Sequence, residues 1–203
     1  MEKFFELFGH NIKTERLEMR ILEPNEENAL LVWNVLKNEN PDDFIYSSRL
    51  ESILPTSQED TLNVMQYYHN RCQNRGIDWF VFYNNELIGY QRIYYCPDNK
   101  TLECSSVWFA RKYWGNGFNQ EIHRKIEEIA FEQLGVNRIC RQCIKDNIRS
   151  YNFIIKSGYH LDGINRQYLL TPDGIYHDEC FFTKLASEYE PNHIMSDSLC
   201  FVQ

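Results

Sequence analysis

The sequence predicts an α/β domain with helices and strands interleaved along one chain. Two observations carry that expectation. The hydrophobic spacing switches repeatedly between a strand period and a helix period, in the order β-α-α-β-β-β-α-β-α-β-β. The length is 203 residues, 43% hydrophobic and 25% charged, enough for one domain that buries about 70% of its unfolded surface. No internal repeat or low-complexity tract interrupts the order.

Each element has its own warrant. Leu17, Met19 and Ile21 alternate with Glu18 and Arg20, as in a half-buried strand. Pro24 opens a helix with the stripe Ala29, Val32, Trp33 and Leu36. Residues 39–56, holding Pro41 and Pro55, form a long loop, and loops of that length often carry function. Ser57 and Asp60 resemble a capping box for a second helix, striped by Leu62, Met65, Tyr68 or His69, and Cys72 and running to Gly76. Residues 78–83 and 86–95 meet across Asn84-Asn85 as a hairpin, and a turn at 97–100 leads to a strand over 101–110. The turn over 113–118 feeds the clearest helix, with Ile122, Ile126, Ile129, Ala130 and Leu134 as its stripe and Gly135 at its end. A strand over 138–145, a short helix over 147–157 closed by Gly158, and strands over about 160–170 and 175–184 complete the order.

Composition removes several function classes. No stretch approaches the roughly 18 apolar residues of a membrane span. The first residues carry charges inside a short apolar run, unlike a signal peptide. Seven irregularly spaced cysteines fit free thiols in a reducing cytoplasm, the expected location, better than a disulfide framework. A net charge of −8 speaks against a nucleic-acid partner. That charge is uneven: residues 23–60 carry nine acids against Lys37 and Arg49, net −7, whereas 111–166 carry ten bases against six acids, net +4. Solvated faces and binding surfaces are both open readings of this division.

The segment Lys112-Tyr113-Trp114-Gly115-Asn116-Gly117 lies between a strand and a helix. Its glycines permit a tight bend, and the helix start offers free N–H groups to a phosphate. It is not a Walker loop, since no Gly-Lys-Ser/Thr follows, and Gln120 stands where a dinucleotide fingerprint needs its third glycine. By itself such a turn is weak evidence. It is followed, however, by Asp146-Asn147-Ile148-Arg149-Ser150, then Phe153, Ser157-Gly158-Tyr159 and Gly174-Ile175-Tyr176-His177-Asp178. In this order the set resembles the GNAT superfamily of acetyl-CoA-dependent N-acetyltransferases, and within it the Rim-type branch that acetylates ribosomal-protein N-termini. The resemblance runs from Thr14-Glu15-Arg16-Leu17 to about Leu185, which makes 14–185 the core, 1–13 an N-terminal extension and 190–203 a C-terminal tail of a single domain 1–203.

The resemblance implies a mostly antiparallel, splayed central sheet with helices on both faces. It implies acetyl-CoA as co-substrate, with Lys112 in the basic position of the pyrophosphate loop and backbone N–H groups of Tyr113, Trp114, Gly115, Asn116, Gly117, Phe118 and Asn119 around the phosphates. Pantetheine would fill the splay beside Val107, Trp108 and Phe109, with Asn147 on the arm and Ser150 one turn on. The basic segment 111–166 would then face the CoA phosphates.

Transfer has three chemical requirements. An alkylammonium titrating near 10.4 must lose a proton before it attacks. The oxyanion needs donors, which N–H groups around Phe109 could supply. The thiolate must leave, ideally protonated. The tyrosine many relatives use for that last step is Ile154 here, so Ser150, then Tyr159, are the substitutes. The glutamate many relatives carry as base falls at Cys104, leaving Glu103 acting through water, against its plainer reading as a solvated strand carboxylate.

Other residues read as structural. Cys140 and Cys143, three apart on a strand, face opposite ways, so no metal site is expected. His177 and Asp178 are strand neighbours that also diverge, and His123 reads as a solvated helix residue. The aromatic residues of 79–95 read as core, with one or two lining an acceptor cleft. The acidic segment would wall that cleft, pointing to a peptide or protein N-terminus or a small cationic amine as acceptor. The competing class is a catalytically weak or inactive acyl-CoA-binding module, supported by Ile154 and Cys104. A monomer and a homodimer both fit, because the Phe4, Phe5, Leu7, Phe8 cluster and the tail residues Leu199, Phe201 and Val202 could seal an interface or fold back.

Overall fold

The computed structural model describes residues 1–46, 54–171 and 173–191. The chain begins with helix α1 (Glu2–Phe8) and short strand β1 (Ile12–Lys13), then β2 (Leu17–Arg20), α2 (Glu26–Leu36) and α3 (Gln58–Cys72). Strands β3 (Gly76–Tyr83), β4 (Glu86–Cys96) and β5 (Thr101–Phe109) follow, then α4 (Phe118–Glu128), β6 (Arg138–Ile144), α5 (Ile148–Lys156), β7 (His160–Leu170) and β8 (Tyr176–Leu185). The strands form one sheet in the order β1-β2-β3-β4-β5-β6-β8-β7.

Every pairing is antiparallel except that of β5 with β6, which are parallel and paired only over Thr101–Glu103 and Arg138–Cys140. From Cys104 to Phe109 the ladder of β5 is to β4 alone. A local cause is visible. Gln91 opposes Val107 and Ile93 opposes Cys104, so Ser105 and Ser106 together face the single residue Arg92. Such a bulge bends and twists its strand, and here it turns β5 away from β6 just beyond their last pair. The expected mostly antiparallel, splayed sheet is therefore present.

Local chemistry explains the element ends. Asn84 and Asn85, at φ 49 and 63, make the paired left-handed turn that suits a two-residue hairpin. Helix α2 starts at Asn25 rather than Pro24, because the Asn25 side chain accepts the Asn28 N–H at 2.9 Å. Ser57 caps α3 by accepting the Asp60 N–H at 3.0 Å. The Asp60 carboxylate turns back to the Thr56 N–H and hydroxyl, one residue short of a closed capping box. The loop before α3 contains a 3-10 turn over Pro41–Phe44, and its residues 47–53 lie outside the described residues. Helix α4 continues as a π-helical turn over Ile129–Leu134, closed by Gly135 at φ 75.

The sheet is covered on both faces, so β3 is buried almost throughout rather than alternating. On one face Ala29, Val32, Leu36 and Met65 of α2 and α3 pack on Phe80, Phe82 and Leu87. On the other, Ile122 and Ile126 of α4 and Ile154 of α5 join Met19, Trp79, Val81 and Ile139. The first thirteen residues belong to this second layer. Phe4 and Phe8 are fully buried, the Phe8 ring lies 5.9 Å from Trp79, and the Trp79 indole donates to the His10 carbonyl at 3.1 Å. The N-terminal aromatic cluster folds back on the sheet. Leu199, Phe201 and Val202 lie outside the described residues.

Candidate active site

After β5 the chain makes a 3-10 turn (Arg111–Tyr113) and enters α4 through Gly115 at φ 81 and Gly117 at φ 76. A Cβ on Gly115 would meet nothing within 4 Å, so backbone conformation rather than crowding demands glycine there. Gly117 caps α4 and leaves the first helical N–H groups without intrahelical partners. A clamp from the turn between β1 and β2 holds the loop. The Arg16 guanidinium donates to the Asn116 carbonyl at 3.1 Å and to Glu121 Oε2 at 2.6 Å, and lies 4.7 Å over the Phe118 ring. Glu121 Oε1 also accepts from the Arg16 N–H and the Thr14 hydroxyl. Burial works against the Glu121 carboxylate, but these donors together hold its pKa below the usual value.

The loop leads into a cavity of about 990 Å³. At one end Tyr113, Trp114, Gly115, Gly117, Phe118 and Asn119 face Asn147, Arg149 and Ser150 at the start of α5. Val107, Trp108 and Phe109 of β5 and Arg141 of β6 line the splay. Val32, Leu36, Met65, Tyr68, Phe80 and Tyr90 line the far end under α2 and α3. Most sequence-predicted cofactor residues thus border one space.

Lys112 and Asn116 are absent from that lining. Lys112 ion-pairs with Glu86, whose other oxygen accepts the Tyr113 hydroxyl, so the expected loop cation is spent outside the cavity. Asn116 contributes its carbonyl to Arg16. The cation that borders the cavity beside the loop is instead Arg149, 3.3 Å over the Trp114 ring; Arg111, 4.1 Å from that ring, is outside the lining and paired with Asp43. Trp114 is pinned by its own N–H to the Phe109 carbonyl at 2.7 Å. Asn147 caps α5 by accepting the Ser150 N–H at 3.2 Å, which fixes both residues at the cavity wall.

Of the three expected catalytic side chains, Ser150 borders the cavity and two do not. Glu103 sits in the stub where β5 is paired on both edges, opposite Tyr94 and Cys140. Tyr159 is turned into the core behind Gly158, which sits at φ 83. Its hydroxyl donates to Glu127 Oε1 at 2.9 Å, and burial followed by that carboxylate pushes its pKa well above the ordinary phenol value. Cys104, in the place of the family glutamate, is buried, and its thiol is pushed up to about 12. A group so reluctant to ionise is no base.

His123 is a further correction. It is 2% exposed, not solvated, because α4 turns positions 123 and 127 inward beside its apolar stripe. Its Nε2 lies 2.5 Å from Arg141 Nη2; burial and then the cations Arg141 and Lys184 hold its pKa well below the ordinary value. Cys140 and Cys143 are free, and no cluster of metal-ligating side chains occurs among the described residues. His177 and Asp178 have separate partners. His177 meets Asp146 at 2.8 Å, and Asp178 accepts the Gln167 N–H at 3.0 Å.

Sequence reasoning missed the polar group at the far end. Asp78 Oδ1 accepts from Arg92 Nε at 2.6 Å and from the Tyr90 hydroxyl at 2.7 Å, and Arg92 lies 3.5 Å over the Tyr68 ring. Burial raises the Asp78 pKa, with Arg92 opposing. The signal was an acid at an inward position opposite an arginine across the hairpin. The acidic segment walls this end through apolar side chains such as Val32, Leu36 and Phe44 rather than through its acids. Of its nine acids only Asp43 lines the cavity among the described residues; Asp43 and Glu39 bind the Arg111 side chain and N–H, and Glu51 lies outside the described residues.

A phosphate-type loop at a helix start, opening on a splayed sheet, is the arrangement that the resemblance to the acetyltransferases implies. The sequence profile described as "Acetyltransferase (GNAT) domain" matches residues 16–160, and the chain belongs to that family. Among curated relatives, YoaA of Bacillus subtilis (strain 168), named an uncharacterized N-acetyltransferase, is 25% identical over 161 residues, 78% of this chain and 87% of its own. YdaF of the same organism, by its name a candidate ribosomal N-acetyltransferase, is 22% identical over 87% of this chain and 94% of its own. Among solved structures, RimL, a ribosomal-protein alpha-N-acetyltransferase in complex with coenzyme A, has a TM-score of 0.74 at 20% identity, covering 87% of this chain and 98% of its own. The self-immunity acetyltransferase MccE, in complex with acetyl-CoA and AMP, has a TM-score of 0.73 at 18% identity, covering 84% and 93%. At such identities these two structures speak for the fold.

Proposed function

We propose that this protein transfers the acetyl group of acetyl-CoA to the primary amine of a peptide or protein N-terminus whose first side chain is apolar or aromatic. The observation that carries this is a continuous cavity that joins the loop at α4 to a pocket of aliphatic and aromatic side chains under α2 and α3. Apolar lining of that kind gains free energy by covering apolar ligand surface, about 25 cal/mol per Å². The acid at that end, Asp78, is already neutralised by Arg92, so a small cationic amine finds no free counter-charge in it.

The residues fit acetyl-CoA. The N–H groups from Gly115 to Asn119 receive the pyrophosphate, those of Tyr113 and Trp114 being bonded to the Ala110 and Arg111 carbonyls, and Arg149 adds charge. The free edge of β5 beside Val107 to Phe109 offers backbone groups to the pantetheine amides. The amine attacks the thioester carbonyl directly, and the Ser150 hydroxyl donates a hydrogen bond to the leaving sulfur.

Isothermal titration with acetyl-CoA, followed by a free-thiol assay on peptides differing only in their first residue, tests the reading. Peptides beginning with Phe, Leu or Met should release CoA faster than those beginning with Asp or Lys, and faster than spermidine. Absence of acetyl-CoA binding overturns the cofactor assignment. Fastest turnover on spermidine overturns the acceptor assignment.

A further inference from the structure

Arg141 is the first β6 residue beyond the last pair with β5, so it stands at the apex of the splay. It is 4% exposed yet borders the cavity, and its guanidinium lies 5.0 Å over the Phe153 ring. No carboxylate pairs with it among the described residues. The acid of the cluster, Glu127, is occupied by Lys184 at 2.8 Å and by the Tyr159 hydroxyl. Its one hydrogen-bonding neighbour is His123, kept neutral by burial and the two cations, and Arg141 Nη1 has no partner. Arg141, Lys184, Glu127 and His123, with the un-ionised Cys104 and Tyr159 beside them, thus set two cations against one carboxylate beneath the cleft; Glu103 of β5 and Glu179 of β8, the further acids acting on the neighbouring thiols Cys104 and Cys143, form no ion pair with Arg141. Nothing in packing calls for this. A buried cation without a carboxylate costs stability, and a hydrophobic side chain of similar volume would fill the space at lower cost.

The reaction supplies a use. When the amine adds and the C–S bond breaks, the electron pair of that bond goes to sulfur; the products are the amide, the CoA thiolate and one proton, which passes to solvent water. A thiol titrates near 8.5, far below an alcohol, so the Ser150 hydroxyl can hydrogen-bond to the sulfur but not protonate it downhill. Ile154 offers no phenol and is itself buried. A fixed positive charge in a water-poor site stabilises the thiolate without any proton transfer. We propose that Arg141, positioned by neutral His123, is the group that stabilises the departing thiolate, so that this enzyme releases CoA in its anionic form.

The inference rests on the acetyl-CoA site proposed above, and binding measurements separate the two. Wild-type protein should bind desulfo-CoA with an affinity little changed between pH 6 and 9. CoA itself should gain affinity as pH rises through the lowered pKa of the bound thiol, and level off above the free thiol's value. Arg141→Met should abolish that gain and leave desulfo-CoA binding in place. Its turnover should fall by about 100-fold, with the KM for acetyl-CoA within about threefold of wild type. Its melting temperature should hold or rise, the reverse of what loss of a structural residue does. Arg141→Lys, which keeps the charge, should retain part of the pH dependence. Unchanged turnover in Arg141→Met, or equal loss of CoA and desulfo-CoA affinity with a lower melting temperature, overturns the assignment. Failure of wild-type protein to bind either ligand overturns the cofactor site, and this inference with it.

Discussion

Replacing Asp78 by alanine leaves the Arg92 guanidinium, with its side chain 3% exposed, without its carboxylate at 2.6 Å. Removing one partner of a buried pair costs about 3–5 kcal/mol, because the remaining charge stays desolvated. The Tyr90 hydroxyl loses its acceptor as well. For a domain of this length that corresponds to a fall in melting temperature of roughly 6–20 °C. The double variant Asp78→Ala/Arg92→Met removes the stranded charge while keeping much of its volume, so it should recover at least about half of the loss. Urea unfolding of wild type, both single variants and the double variant gives the coupling energy directly. A double variant as unstable as the sum of the singles would refute the pair. In the thiol-release assay, the folded double variant should show a raised KM for the peptide and an unchanged KM for acetyl-CoA, since the pair lies at the acceptor end of the cavity.

Three further outcomes follow from the loop and its clamp. Glu121 has a lowered pKa, so its stabilising contribution is present above the usual carboxylate value and is lost as pH falls through the lowered one; Glu121→Gln should flatten the acid limb of a stability-against-pH curve. Gly117→Ala places a Cβ 3.6 Å from an Arg16 guanidinium nitrogen, an ordinary contact, so its cost is the left-handed backbone, about 1–2 kcal/mol by urea unfolding, together with weaker acetyl-CoA binding by titration. Ser150→Ala keeps the N–H that Asn147 caps, so thermal stability should stay near wild type while turnover falls by about tenfold; an unchanged rate removes the hydroxyl from the chemistry.

The cofactor half of the site was legible because it is built from local chain geometry. Gly115 and Gly117 before a helical stripe, and Asn147 three residues before Ser150, are short-range patterns in which backbone conformation and capping are set by neighbours in sequence. The acceptor half was not legible in this way. Asp78, Arg92, Tyr90 and Tyr68 become one group only when the hairpin register and α3 are in place. Lys112 holds the position that the resemblance makes the loop's basic residue, and only the tertiary structure sets it in an ion pair with Glu86 of the neighbouring strand, outside the cavity lining.

His123 shows the same division within one helix. The 3.6-residue stripe through Ile122 and Ile126 is visible in the sequence, but how wide the buried face is depends on what packs against it. Here β6 and α5 close over the flank, burying His123 and Glu127 with Arg141, Tyr159 and Lys184. Periodicity and turn chemistry are local free energies, so the sequence alone determined the element order from β2 to β8, the hairpin and the phosphate-type loop, but not α1 or β1, whose aromatic residues are ordered by packing on the sheet. Burial and charge pairing are sums over groups distant in sequence. Only the tertiary structure therefore decided which catalytic candidates meet the cavity, where the acidic segment points, and that an unpaired arginine lies at the apex of the splay.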